Sequence, residues 1–103
     1  MIDAVFYIRN QKTNGFKISG HSDFSEEGPD IVCAAVSSAC YMAVNTVTEI
    51  LGCGIEEDVD DGYMKITLKD ANKNAQDIFD GLKLHLSELS KDYPDFIKIS
   101  TEV

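Results

Sequence analysis

Residues 30–52 read DIVCAAVSSACYMAVNTVTEILG, and the fold class follows from how this stretch is read. No charged residue occurs between positions 31 and 48. Val32, Ala35, Val36, Ala39, Ala43, Val47 and Leu51 recur at helical spacing. Cys40, Met42, Val44 and Ile50 fill much of the remaining circumference. A helix apolar on most sides is buried on most sides. Asp30 is a good N-cap, so the helix is predicted to start at Ile31, after a loop over 21–29 punctuated by Gly28-Pro29. Gly52 supplies the residue past the end. Ser37, Ser38, Asn45, Thr46 and Thr48, with no flanking Lys or Arg, argue against a membrane span. The stretch predicts a central helix, covered by a sheet on one side and by a second copy of the chain on another.

Outward from this helix the chain alternates like strands. Ile2, Ala4, Phe6 and Ile8 alternate with Asp3, Val5, Tyr7 and Arg9. Asn14-Gly15 is a hairpin signal, with Phe16 and Ile18 on the returning strand up to Gly20. Beyond the helix, Ile55 to Val59 turns at Asp61-Gly62 into Tyr63–Lys69, with Met64, Ile66 and Leu68 inward. A second helix is predicted from about Ala71 to Lys91, with an apolar stripe of Ala75, Ile78, Phe79, Leu82, Leu86 and Leu89. Leu84 lies nearly opposite that stripe. Pro94 precedes a last strand, Phe96 to Thr101. The order ββαββαβ predicts an α+β fold of two layers, with a mostly antiparallel sheet and a long central helix.

A chain of 103 residues predicts a single domain, 1–103. Its composition is that of a globular protein, 44% hydrophobic and 26% charged. The net charge of −9, with no basic stripe, argues against direct nucleic-acid binding. It suits a solvated surface, or a basic protein partner. Met1-Ile2-Asp3-Ala4-Val5-Phe6 has no basic n-region, so no secretory signal is read. Three cysteines, an odd number without framework spacing, read as reduced thiols in a cytoplasmic protein. Cys33, Cys40 and Cys53 make no C-x-x-C pair, and only His21 and His85 could join them, so no metal and no cofactor is expected. Glu56, Glu57, Asp58, Asp60 and Asp61 lack the spacing of a calcium loop and read as a solvated hairpin.

His21 and Cys33 stand twelve positions apart, on either side of the loop. With Asp30 as cap, Cys33 is the third helical residue, beside unpaired amides at the positive end of the helix dipole. That setting favours a thiolate, and an imidazole close by would favour it further. The same amides could hold the oxyanion of an acyl-transfer intermediate. Ser37 follows one turn later on the same face. Asp30 serves either the cap or the imidazole. The residues by themselves leave two readings, a nucleophile and a buried inert thiol. A redox sensor using Cys33 and Cys40 is disfavoured, because a rise of about 10.5 Å over seven helical residues is too far for an undistorted disulfide.

Gly20-His21, Gly28 and Asp30-Ile31-Val32-Cys33-Ala34-Ala35-Val36-Ser37 together resemble the signature of the ribosomal-processing cysteine protease family, Prp. The resemblance spans the whole chain. It implies a cytoplasmic cysteine endopeptidase, acting as a homodimer, with His21 and Cys33 as its catalytic pair. Gly20, Asp30 and Ser37 fall on the other motif positions. The implied substrate is a ribosomal protein precursor, the L-twenty-seven protein of the large subunit. Its N-terminal extension would be removed after a paired aromatic segment, supporting ribosome assembly. Ser22 stands where Ala is common, and the loop Asp23-Phe24-Ser25-Glu26-Glu27 is unusually acidic. The loop is read as a lid that attracts a basic segment, with Phe24 packing on the substrate's aromatics. The rival reading is a non-catalytic acidic dimer that binds a basic ribosomal segment. No membrane partner is expected.

Overall fold

The computed structural model describes residues 1–20 and 27–103, the side chains of residues 27–30 excepted. A hairpin of β1 (Ile2–Arg9) and β2 (Lys12–Ser19) precedes the helix α1 (Glu27–Asn45), which runs on into a π-helical segment, Thr46–Ile50. A second hairpin, β3 (Ile55–Asp60) and β4 (Tyr63–Leu68), is followed by α2 (Lys73–Asp92) and β5 (Ile97–Glu102). The five strands form one sheet in the order β3-β4-β2-β1-β5. Only β5 runs parallel to its neighbour, β1. The predicted ββαββαβ order and mostly antiparallel α+β architecture are those observed.

Alternate side chains of the strands face one way. Ile2, Ala4 and Phe6 of β1, Phe16 of β2, Met64, Ile66 and Leu68 of β4 and Ile97 of β5 are buried. They form one cluster with Val32, Val36, Cys40 and Val47 of the first helix and Ala75, Phe79, Leu82 and Leu86 of α2. Both helices therefore cover the same face of the sheet, which gives two layers. The Phe16 ring meets Phe79 edge-on, with centroids 5.4 Å apart.

The second hairpin turns at Asp61-Gly62 as expected, with Gly62 at φ +68°. The first does not turn at Asn14-Gly15. The turn falls at Asn10-Gln11, both at positive φ (52° and 67°), the type I′ geometry that matches strand twist. Asn14 is instead the extra residue of a bulge, since Tyr7 pairs with Gly15 while Ile8 pairs with Thr13. Gly15 is required for another reason: a Cβ there would run into the Ile66 carbonyl oxygen of β4.

Polar contacts fasten α2 to this hairpin. The Gln76 side-chain amide donates to Asn14 Oδ1 at 3.3 Å, and the Thr13 amide donates to Asp80 Oδ1 at 3.0 Å. Lys12 Nζ lies 2.7 Å from Asp77, and Lys73 lies 2.9 Å from the same carboxylate. Those hydrogen bonds hold the Asp77 carboxyl down to about 2. α2 begins two residues later than predicted, because Asn72 is its cap and accepts from the Ala75 amide at 3.0 Å.

The start of α1 is a correction with consequences. The helix begins at Glu27, so Asp30 lies inside it and is not its N-cap. Gly28-Pro29 belongs to the first turn, where proline costs little because its missing N–H has no intrahelical acceptor there. At the other end the Leu51 amide reaches back to the Thr46 carbonyl at 3.0 Å, and Gly52 at φ +68° ends the helix as predicted.

Candidate active site

Helical geometry divides α1 into three stripes. Val32, Val36, Cys40, Ala43 and Val47 face the core. Cys33, Ser37 and Tyr41 repeat every four residues and line a cleft. Ile31, Ala35, Ser38 and Met42 face away on the third side, and Ile31 and Met42 are exposed. The expectation that the helix is buried on most sides is therefore not met within one copy: the sheet and α2 cover only part of it.

The cleft has a volume of about 310 Å³. Its deepest lining comes from Ile2, Val36, Cys40 and Met64, all buried. Gly20, at the end of β2, lines it beside the tip of the β3–β4 hairpin, Val59 to Tyr63. Strand pairing places that tip. β2 and β4 are in register from Gly15–Thr67 to Ser19–Tyr63, and the Gly20 amide extends the pairing to the Gly62 carbonyl at 3.0 Å. Gly20 sits at φ +95°, and a Cβ would overlap the Met1 carbonyl oxygen. No other residue fits there without moving the N-terminus.

Cys33 is half-buried and is the seventh residue of α1. The amides left unpaired at a helix start belong to its first four residues, 27–30 here, so the Cys33 amide lies inside the helical ladder. The expected placing of Cys33 as the third helical residue, beside free amides, is thereby overturned. The dipole's influence fades within the first turn, so the helix start prepares this thiol less than its sequence position suggests. Ser37 is exposed one turn on, at the same cleft.

Of the predicted site residues, Gly20, Cys33 and Ser37 come together at the cleft. His21 and Phe24 lie outside the described residues, as do Ser22, Asp23, Ser25 and Glu26 of the acidic loop. Asp30 is placed by its backbone in the first turns of α1. Tyr41, Val59, Asp60, Asp61 and Tyr63 also line the cleft; the sequence reading places none of them at the site, and takes Asp60 and Asp61 for a solvated hairpin. Tyr41 continues the i+4 stripe of Cys33 and Ser37 on α1, whereas the place of the other four depends on the pairing of β4 with β2, which no local pattern announces.

The other two cysteines are set apart. Cys40 is buried, and burial pushes its thiol up to about 12. Cys53 is half-buried in the turn after the first helix, its amide bonded to the Val47 carbonyl at 3.0 Å. No group of three or more His, Cys, Asp or Glu among the described residues is arranged to hold a metal ion. His85 is exposed and lines a groove of about 650 Å³ between the helices, with Ala35, Ala39, Met42 and Gly81.

The chain is similar to known proteins over its full length. The family model for cysteine protease Prp matches residues 1–98. The ribosomal processing cysteine protease Prp of Bacillus subtilis is 31% identical, over 100% of this chain and 99% of its own. That of Staphylococcus aureus is 29% identical over 81% of each chain. A crystal structure of the S. aureus protease with a covalently linked product peptide superposes with a TM-score of 0.89 at 26% identity, covering 99% of this chain and 100% of that one. The helix-on-sheet frame, the cysteine at its cleft and the match from end to end agree: this chain belongs to the ribosomal processing cysteine protease family, Prp.

Proposed function

We propose that the chain is a cytoplasmic endopeptidase that removes the N-terminal extension of a ribosomal protein precursor, the L-twenty-seven protein, with Cys33 and His21 as its catalytic pair. The observation that carries the reading is the position of Cys33: half-exposed, on a cleft whose wall includes Gly20, the residue before His21 in the chain. In this mechanism His21 takes the Cys33 proton, and the thiolate sulfur bonds to the scissile carbonyl carbon. His21 then gives the proton to the leaving amine as the C–N bond breaks. A water, activated by the same imidazole, releases the acyl group and restores the thiol. Because the Cys33 amide is within the helix, the imidazole carries most of the activation, and Ser37, facing the same cleft, is a donor within the site for the developing oxyanion. The buried side chains of Ile2, Val36 and Met64 offer an apolar floor for the aromatic residues before the cut.

The test incubates a precursor bearing its extension with wild type, Cys33→Ala and His21→Ala and follows the mass of the product. Either substitution is expected to lower the rate by roughly 10⁴-fold or more, with the fold retained. Cys33→Ser is expected to be severely impaired as well, because an alkoxide is far less accessible than a thiolate. Wild-type turnover by Cys33→Ala would leave the chain as an acidic module that binds a basic ribosomal segment without cutting it. The homodimer belongs to the same proposal; its support is the exposed apolar stripe of α1, Ile31 and Met42, beside the groove against α2.

A further inference from the structure

A second pocket, of about 550 Å³, lies at the other end of the sheet from Cys33. Three strands join the two places. β1 gives Ile2 to the cleft and, about 17 Å further along, Tyr7 and Arg9 to the pocket. β2 gives Ile18 to the one and Asn14 to the other, and β4 gives Met64 and Thr67. Tyr7, Thr67 and Glu102 share one row across the sheet, on the face that the helices leave open. Unused donors dominate the polar lining. Arg9, and Lys65 beside the pocket, form no ion pair among the described residues. Lys65 Nζ stands over the Tyr7 ring, 5.5 Å from its centroid, reaching across Gly15, which has no side chain to block it. Asn14 lines the pocket although it is only 7% exposed. Its Oδ1 accepts from Gln76, while its amide nitrogen has no acceptor among the described residues. Among those residues Thr13 Oγ1 is the side-chain polar atom sealed from solvent without a partner, so the Asn14 nitrogen keeps an opening, and the pocket is that opening. A donor this deeply set costs free energy unless something accepts from it.

We infer that this pocket binds a small monocarboxylate with a flat apolar body. The carboxylate pairs with Arg9 and accepts from the Asn14 amide, and the body lies along Tyr7, Ile8 and Val103. The guanidinium fork fits the two oxygens of a carboxylate. Glu102 is the one acidic side chain among the described residues lining the pocket, and it opposes a second negative charge on the ligand, so a carboxylate is preferred to a phosphate dianion. The volume lies within the range of small-molecule sites. The pocket shares no residue with the Cys33 cleft, and the inference stands apart from the protease reading.

The experiment titrates sodium benzoate into the full chain at low salt and follows proton–nitrogen correlation spectra. Wild type is expected to bind with a Kd of about 1 mM, the level that so small a ligand reaches. The side-chain amide signal of Asn14 and the backbone signals of Tyr7 and Thr67 are expected to move, while those of Val36 and Ser37 at the cleft stay in place. Arg9→Gln is expected to weaken binding about tenfold or more, and Lys65→Gln about threefold. Arg9, Lys65 and Glu102 are exposed, and circular dichroism checks that their variants keep the fold. Benzamide, with the same shape and no charge, is expected to bind at least ~tenfold more weakly than benzoate. Phenyl phosphate is expected to bind wild type more weakly than benzoate and to recover part of the difference in Glu102→Gln. No saturable shift up to about 20 mM benzoate overturns the inference, since binding weaker than that is no site. Binding that Arg9→Gln leaves unchanged, or an Asn14 side-chain amide that does not move, overturns it as well. A wild-type preference for phenyl phosphate over benzoate overturns the assignment to a carboxylate.

Discussion

Cys33 and Cys40 both line the cleft, yet their surroundings give them opposite chemistry. Cys40 is 1% exposed, and with its thiol pushed up to about 12, a thiolate there is scarce at neutral pH. Cys33 is half-buried on the stripe that opens to solvent. Iodoacetamide is therefore expected to label Cys33 at least ~100-fold faster than Cys40, which reacts only after denaturation. Peptide mapping by mass spectrometry after timed quenching reads both rates, and equal rates would mean that the cleft does not expose Cys33. The same assay probes what activates the thiol. With the Cys33 amide inside the helical ladder, His21→Ala is expected to slow labelling near neutral pH; activation by the helix start would leave the rate unchanged.

At the scale of elements, the cleft exists because β4 pairs with β2 and brings its turn beside Gly20. Gly15 guards that pairing, since a Cβ there would meet the backbone oxygen of Ile66, which cannot rotate away as a side-chain end could. Gly15→Ala is expected to cost about 1–3 kcal/mol. By circular dichroism that is a fall of roughly 4–20 °C in Tm. Gly52→Ala meets no neighbour within 4 Å and carries only the strain of φ +68°, so its cost is expected to stay near ~1 kcal/mol. A Gly15→Ala variant as stable as wild type would show that the strands part freely. This contrast also explains what could be read in advance. Asp61-Gly62 and the stripe of α2 were legible, because a two-residue turn and a helical period are local signals. Asn14-Gly15 misled, because its glycine answers to β4, a partner distant in sequence. Pro29 misled for a local reason, read as punctuation of a loop although the first turn of a helix accepts proline. Cys33, Ser37 and Gly20 were legible as a group from their motif, and Tyr41 continues the helical stripe of Cys33 and Ser37, whereas Asp60, Asp61 and Tyr63 joined them only through sheet register.

For the whole molecule, the question is what the length of apolar helix accomplishes. Ile31–Ile50 is long and apolar enough to cross a membrane by composition alone. Its core stripe, however, is shared with all of the inward-facing strands, and withdrawing Val32, Val36, Cys40 and Val47 into lipid would empty the cluster that holds the sheet. The outer stripe has no such role. Met42 is 64% exposed and Ile31 62%, an arrangement that costs solubility unless something covers it. A second copy suits the stripe, because a two-fold axis lets one apolar face cover itself. Introducing a charge there places two like charges across the axis. If the chain dimerises through this stripe as proposed, Met42→Glu is expected to weaken the association by about 100-fold or more while leaving the thermal transition of the monomer fold in place, since Met42 lies outside the core. Sedimentation velocity over a range of concentrations measures the change. The cleft stripe of Cys33, Ser37 and Tyr41 faces a different direction from Met42, so the monomeric variant should keep the wild-type rate of Cys33 alkylation. A wild-type chain that stays monomeric, or a Met42→Glu variant that dimerises as tightly as wild type, would remove the outer stripe as the interface. A variant that loses both the dimer and the reactivity of Cys33 would show instead that the partner copy helps to build the cleft.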